Sequence, residues 1–163
     1  MSSNLTRRFL GLTALAALAG CGFTPAFGSD GTAQKLRDAV QVTTPDTVLG
    51  FAMRSRVNDR LGAAASPLYA LTMDLNQTEQ AAAITSDGDT TRFQIGGVTR
   101  WSLTDIASGA VLASGQSETF ASYAATGSTV ATQAAAADAG NRLAIALADQ
   151  VVSDMTLAAG AFP

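Results

Sequence analysis

Residues 92–103, RFQIGGVTRWSL, decide the fold because their side chains alternate strictly between two faces. A two-residue period of this kind predicts a long, half-buried β-strand. One face is mostly apolar and consists of Phe93, Ile95, Gly97, Thr99, Trp101 and Leu103; the other consists of Arg92, Gln94, Gly96, Val98, Arg100 and Ser102. At this parity Trp101 is predicted to lie in the core.

The segments on either side of this strand also have strand character. Residues 69–76 alternate between apolar and polar side chains, and residues 111–123 form a third run with less distinct faces. Polar turns at residues 86–89 and Ser108-Gly109 separate the three runs, so we expect an antiparallel meander. Gly96-Gly97 inside the long strand predicts either a bulge or a close backbone approach.

One amphipathic helix is expected before these strands and another after them. The first is predicted between Thr44-Pro45-Asp46, a good helix start, and Gly62, a good helix stop. Its buried side would carry Leu49, Met53, Val57 and Leu61, at four-residue spacing. The second follows a Ser128 cap, and its buried stripe would carry Leu143, Leu147, Val151 and Met155.

A short strand within residues 35–42 completes the order β-α-β-β-β-α. This order predicts an α+β fold, with a four-stranded, mainly antiparallel sheet and two helices packed on one of its faces. A chain of 163 residues is expected to form one domain. We place that domain at residues 35–163.

The first part of the chain has the layout of an export signal. Arg7 and Arg8 precede an apolar stretch that is too short to span a bilayer. Leu18-Ala19-Gly20-Cys21 then resembles a bacterial lipoprotein box. This resemblance implies that residues 1–20 are removed as a signal peptide, by a Sec or a twin-arginine route.

The lipoprotein box also implies that Cys21 carries acyl chains on its thiol and its amine. Three acyl chains make a stable membrane anchor, whereas one chain is marginal. The next residue is Gly22 rather than the Asp that typically retains lipoproteins in the inner membrane, which favours the outer membrane. Residues 21–34 are predicted to form the lipidated N-terminus and a tether rich in Gly, Ser and Pro.

The composition excludes several functional classes. With no His and one Cys, the chain lacks the groups for Ser-His-Asp catalysis and for a CxxC zinc or redox site. A net charge of −3 argues against non-specific binding of nucleic acid. We therefore expect no enzyme activity, no metal and no cofactor apart from the lipid on Cys21.

Several features together resemble a known family. The lipoprotein box runs directly into Cys21-Gly22-Phe23-Thr24-Pro25-Ala26-Phe27-Gly28, and the last helix includes Leu147-Ala148-Asp149-Gln150-Val151-Val152. With the order of predicted elements, these stretches resemble the LptE family of lipopolysaccharide-assembly lipoproteins, in particular its alphaproteobacterial members. The resemblance covers the mature chain, although Ala26-Phe27 stands where members commonly have Leu-Tyr.

The resemblance implies a function without catalysis. LptE proteins are lipid-anchored at the periplasmic side of the outer membrane and partner the large β-barrel LptD. They sit partly inside that barrel as a plug, help it to assemble, and contact lipopolysaccharide on its way to the cell surface.

Two other functions remain open from the sequence. An auxiliary lipoprotein of an ABC-type lipid-trafficking system could share the anchor and a small α+β domain. A lipid-anchored hydrolase would need paired carboxylates, for which Asp87 and Asp89 are the candidates, although their turn context disfavours catalysis.

Arginines provide the candidate binding residues. Arg92 and Arg100 share the face opposite the core, and arginine binds phosphate groups such as those of lipid A. They are the predicted lipopolysaccharide site, and a solvated sheet face is the alternative. A second basic cluster, on the first helix, contains Arg54, Arg56 and Arg60, of which one could pair with Asp59.

Overall fold

The computed structural model describes residues 32–125 and 127–162. Within them, five strands, two helices and two short 3-10 turns follow one another. Their order is a 3-10 turn at Thr32–Leu36, β1 at Val40–Thr43, α1 at Val48–Leu61, β2 at Tyr69–Met73, β3 at Asn76–Ile84, β4 at Thr90–Asp105, β5 at Val111–Ala124, α2 at Thr129–Ala158 and a 3-10 turn at Ala159–Ala161.

Strand β4 organises the sheet because it pairs along both of its sides. The antiparallel strand β5 follows one side along almost its whole length. The other side is shared by β2, which pairs with the end of β4, and β3, which pairs with its beginning. Strand β1 adds a parallel edge to β2. The helices pack against one face of this sheet, so the predicted α+β fold is confirmed, with five strands instead of four.

The additional strand is β3, which the hydrophobic pattern could not indicate. All nine of its residues are exposed, so burial imposes no alternation on its sequence, NQTEQAAAI. The strand predicted at residues 69–76 ends at Met73, and β3 begins at Asn76; between them the Asp74 N–H donates to the Arg100 carbonyl at 3.0 Å. The Arg100 N–H donates to Asp74 Oδ1 at 2.8 Å, and the Thr99 hydroxyl donates to the Asp74 carbonyl.

A contact across β4 helps to hold β3 in the sheet. The Tyr123 hydroxyl of β5 donates to Glu79 Oε1 of β3 at 3.1 Å. The Tyr123 ring stacks on Phe93 of β4, with 5.4 Å between the ring centres. Burial raises the pKa of Tyr123, and the hydrogen bond to the Glu79 carboxylate raises it further. A neutral tyrosine therefore links the exposed strand to the core side of β5.

The helix ends match the predictions in part. Helix α1 is capped by Thr47, whose Oγ1 accepts from the Gly50 N–H at 3.0 Å, so the start predicted at Thr44-Pro45-Asp46 was three residues early. The predicted stop at Gly62 is confirmed, with φ of 85°. Ser128 caps α2 as predicted, and its side chain accepts from the Ala131 N–H. Of residues 35–42, only the end belongs to β1, because a 3-10 turn precedes it.

Gly97 is the point where α2 comes closest to β4. A Cβ atom placed on Gly97 would lie 2.9 Å from Leu143 Cδ2 and 3.0 Å from Leu147 Cδ1. The pairing of β4 with β5 stays in register through Gly96 and Gly97, so there is no bulge there. The predicted bulge is therefore absent from the pairing with β5, and the neighbours that Gly97 accommodates are leucine side chains of α2.

The predicted basic cluster on α1 joins the two helices. Arg56 binds Asp149 of α2 in a bidentate manner, from Nε to Oδ1 at 2.9 Å and from Nη2 to Oδ2 at 3.0 Å. Arg60 adds a contact of 2.8 Å to the same Oδ1. The hydrogen bond to Asp149 raises the pKa of Arg56, and the charge of Asp59 adds to this. The principal partner is therefore Asp149, and Arg54 lies over the Phe51 ring at 5.6 Å.

We expect Gly97→Ala to lower the free energy of unfolding by about 1–2 kcal/mol, because the new methyl group overpacks Leu143 and Leu147. The matched control is Gly96→Ala, whose methyl group would meet only Thr78 Oγ1 at 3.5 Å. That variant should stay within about 0.5 kcal/mol of the wild type. Urea unfolding of both variants measures the difference, and equal losses would contradict the close approach at Gly97.

We expect Asp149→Ala to lower the free energy of unfolding by about 1 kcal/mol, measured by urea unfolding. The loss is small because the ion pairs of Asp149 with Arg56 and Arg60 are one-third exposed and partly screened by solvent. Asp138→Ala is the control. It removes an exposed pair with Arg142 within α2 and should cost about 0.5 kcal/mol or less. High salt should shrink both losses. A larger loss for Asp138→Ala would show that Asp149 does not hold the helices together.

Candidate functional site

The predicted lipidation site lies outside the described residues, as does the predicted signal at residues 1–20. Cys21 therefore stays a prediction. Within residues 32–125 and 127–162, no helix is long and apolar enough to cross a membrane. The same residues contain no group of three metal-ligating side chains.

No described element covers the sheet face that points away from the helices. We call it the open face. In β4 it carries the even-numbered residues, and directly paired residues share a face in an antiparallel sheet. Its further members are Asn76, Thr78 and Gln80 of β3 and Gln116, Glu118, Phe120 and Ser122 of β5.

Arg92 and Arg100 both lie on the open face, as predicted, and both are exposed. No ion pair to either guanidinium is found in the described part of the chain. Eight residues of extended strand separate them by roughly 26 Å, so they cannot bind one phosphate together. The structure thus places two separate basic points along β4.

Arg100 borders a small cavity of about 220 Å³ that is also lined by Thr72, Asp74, Trp101 and Ser102. The Asp74 carboxylate accepts from the backbone N–H of Arg100. The guanidinium makes no ion pair with this carboxylate, so it is available to a ligand. Hydroxyl and carboxylate groups beside it add acceptors and donors for the hydroxyl groups of a polar ligand.

Arg92 lies between two alanines, which leave its side chain unobstructed. In the register of the sheet, Ala83 of β3 is on one side of it and Ala124 of β5 is on the other. The pairing of β3 with β4 shifts on both sides of Ala83. Arg92 therefore projects from the irregular end of the open face.

Phe120 is a candidate that the sequence pattern did not reveal. It is 64% exposed and pairs with Gly96, which lies four residues from each of the two arginines. The space above Gly96 is open, since a Cβ atom there would meet only Thr78, at 3.5 Å or more. An exposed aromatic ring thus lies between Arg92 and Arg100, at roughly 13 Å along the strand from each. The sequence could have placed Phe120 on the open face only if the pairing of β5 with β4 had been known.

Other polar groups have different roles. In the polar stretch around residues 114–119, Gln116 and Glu118 lie on the open face, whereas Ser117 faces α2 and donates to Asp154 at 3.1 Å. Asp87 and Asp89 lie in the exposed turn between β3 and β4. The Asp89 N–H donates to Thr85 Oγ1, which closes this turn. The two aspartates therefore lie in a hairpin turn and do not line a described cavity.

Known proteins share this fold. The sequence matches the model of the LptE family, described as lipopolysaccharide-assembly, over residues 37–155. No curated protein matches the sequence. A solved structure of a protein from Caulobacter crescentus CB15, classed as a lipoprotein, is similar with a TM-score of 0.66 and 22% identity, and the match covers 80% of this chain and 98% of that one.

Two further solved structures are similar at lower identity. Rare lipoprotein B from Shewanella oneidensis has a TM-score of 0.54 and 13% identity, covering 72% of this chain and 92% of that one. A minor lipoprotein from Acinetobacter baumannii has a TM-score of 0.54 and 12% identity, covering 74% and 91%. At these identities the structures establish a shared fold. The family model covers more than half of the sequence, and the chain therefore belongs to the LptE lipopolysaccharide-assembly family.

Proposed function

We propose that this chain is an outer-membrane lipoprotein that plugs and helps to assemble the LptD β-barrel and assists the insertion of lipopolysaccharide at the cell surface. Cys21 carries the lipid anchor, and the domain acts from the periplasmic side of the membrane. The role is binding and assembly, without catalysis. Membership of the LptE family supports this proposal, as does a sequence without histidine.

The observation that carries the lipopolysaccharide contact is the open face, where Phe120 lies between Arg92 and Arg100. Lipopolysaccharide combines phosphate groups with acyl chains. A guanidinium binds phosphate through parallel N–H donors, and an exposed ring offers apolar contact area. One face thus presents both chemistries on the neighbouring strands β4 and β5.

The open face also suits the interior of a barrel. Apart from the two arginines, its polar groups are mostly neutral, such as Gln94, Gln116 and Ser122. Interiors of outer-membrane barrels are polar, so neutral donors and acceptors can replace hydrogen bonds to water there. If the helices faced such a lumen instead, the surface toward the barrel would carry more charged side chains than the open face does.

We expect the double variant Arg92→Ala and Arg100→Ala to bind lipopolysaccharide about tenfold more weakly, because two charge-assisted contacts to phosphate are lost. Its binding should also depend less on salt. Phe120→Ser should weaken binding and leave the salt dependence unchanged. Titration of purified, folded protein with labelled lipopolysaccharide measures both effects.

The control for this experiment is Arg54→Ala, which removes an arginine from α1, on the other side of the sheet. It should bind as the wild type does. Unchanged binding by the double variant, or an equal loss for Arg54→Ala, would contradict the assignment of Arg92 and Arg100.

For the partner, we expect mild-detergent capture of the lipidated protein from its native outer membrane to recover the LptD barrel in stoichiometric amount. Mass spectrometry identifies what co-purifies. A Cys21→Ser variant is the control, since it should lose its lipid label and leave the membrane fraction. Recovery of an ABC-system component in place of LptD would instead support the auxiliary lipoprotein of a lipid-trafficking system.

A further inference from the structure

One end of the sheet carries three exposed apolar side chains that the fold does not use. Leu68 precedes β2, Ile106 follows β4 and Val111 begins β5, and they are 60%, 47% and 62% exposed. The Ile106 N–H donates to the Leu68 carbonyl at 3.0 Å, and the Asp105 N–H donates to the Ala110 carbonyl at 2.9 Å. The three residues therefore form one surface, which we call the apolar end.

The described chain begins beside this surface. The Ala39 carbonyl accepts from the N–H groups of Leu68 and Tyr69, at 2.8 and 3.0 Å. The Lys35 ammonium donates to the Phe162 carbonyl at 2.9 Å, and the Phe162 ring lies 6.2 Å from that of Tyr69. The 3-10 turn at Thr32–Leu36 is thus tied to the same end of the domain.

The length of the preceding segment limits how the domain can stand on a membrane. Eleven residue steps lead from Cys21 to Thr32 and reach at most about 40 Å. Strand β4 alone, with 16 residues, is roughly 53 Å long. With the lipid of Cys21 in a bilayer, the apolar end is the end of the domain that stays near the lipid headgroups.

The polar groups at this end are compatible with a headgroup region. Lys35 and Arg37 are exposed in the segment that leads into β1 at this end, and positive charge near an apolar surface favours anionic lipids. The Asp105 carboxylate is occupied by the N–H and hydroxyl of Ser108, at 2.7 and 2.6 Å. These hydrogen bonds keep the pKa of Asp105 below its usual value. The Asp105 carboxylate therefore stays negatively charged, and its hydrogen bonds are made within the turn.

We propose that Leu68, Ile106 and Val111 rest in the headgroup region of the bilayer that holds the lipid anchor. This inference rests on the anchor at Cys21 proposed above. This end of the sheet then stays at the periplasmic face of the membrane, with Arg100 five residues from the end of β4 at Asp105 and Arg92 13 residues from it.

The test uses the full lipidated protein in vesicles of phosphatidylethanolamine and phosphatidylglycerol. Ile106→Cys and Ile84→Cys variants carry an environment-sensitive fluorophore on the new thiol. Ile84 is 63% exposed and pairs with Thr90 at the opposite end of β4, which makes it the matched position. Phospholipids with brominated acyl chains serve as the quencher, and flotation of the vesicles reports the anchor independently.

We expect the label at position 106 to be quenched several-fold more strongly than the label at position 84. Adding Leu68→Ser and Val111→Ser should reduce the quenching at position 106, whereas adding Val130→Ser at the start of α2 should not. Equal or absent quenching in protein that floats would overturn the proposal and leave a protein partner as the occupant of this end. Failure to float would overturn the anchor at Cys21, and this inference with it.

Discussion

The strict alternation of β4 is the constraint on which the rest of the structure depends. This strand pairs with β2, β3 and β5, so its two faces define the two faces of the whole sheet. Gly97 lets α2 approach its helix-side face closely enough for Leu143 and Leu147 to fill the space that a side chain would take. With both helices committed to that side, the arginines of β4 are left on a face that nothing in the described chain covers.

Elements with one buried side could be predicted from the sequence. Prediction failed for β3, where burial imposes no pattern on the side chains. The four-residue spacing of Met53 and Val57 and the alternation around Ile95 follow from contact with the core. Strand β3 contacts solvent on both faces, so its presence depends on pairing with β4 and on the Glu79 to Tyr123 hydrogen bond. The predicted cap of α1 was Thr44 and the observed cap is Thr47, because either threonine could cap a helix. Only tertiary structure decides between two such caps.

Spacing along the chain also could not distinguish structural arginines from available ones. Arg56 and Arg92 are equally plausible as surface charges in the sequence. The deciding residue is Asp149, which lies 93 positions from Arg56 and meets it only because α1 packs beside α2. The parity of Arg92 and Arg100 was informative because a strand side chain keeps its face regardless of distant contacts. The face of Arg92 and Arg100 was thus predictable, whereas the position of Phe120 between them required the register.

Two aromatic residues, each paired with a glycine, differ in burial between the two faces of the sheet. Trp101 pairs with Gly115 and is 6% exposed, and its ring fills the space in which a Cβ atom on Gly115 would lie, at 2.8 Å. Burial in the core therefore explains Trp101. Phe120 pairs with Gly96, yet its ring is exposed and leaves the space above that glycine open. Folding gains little hydrophobic free energy from such a ring, since the gain scales with the apolar area removed from water. Under the proposed function, an apolar ligand or a barrel wall on the open face would remove this area from water, so we assign the contribution of Phe120 to binding.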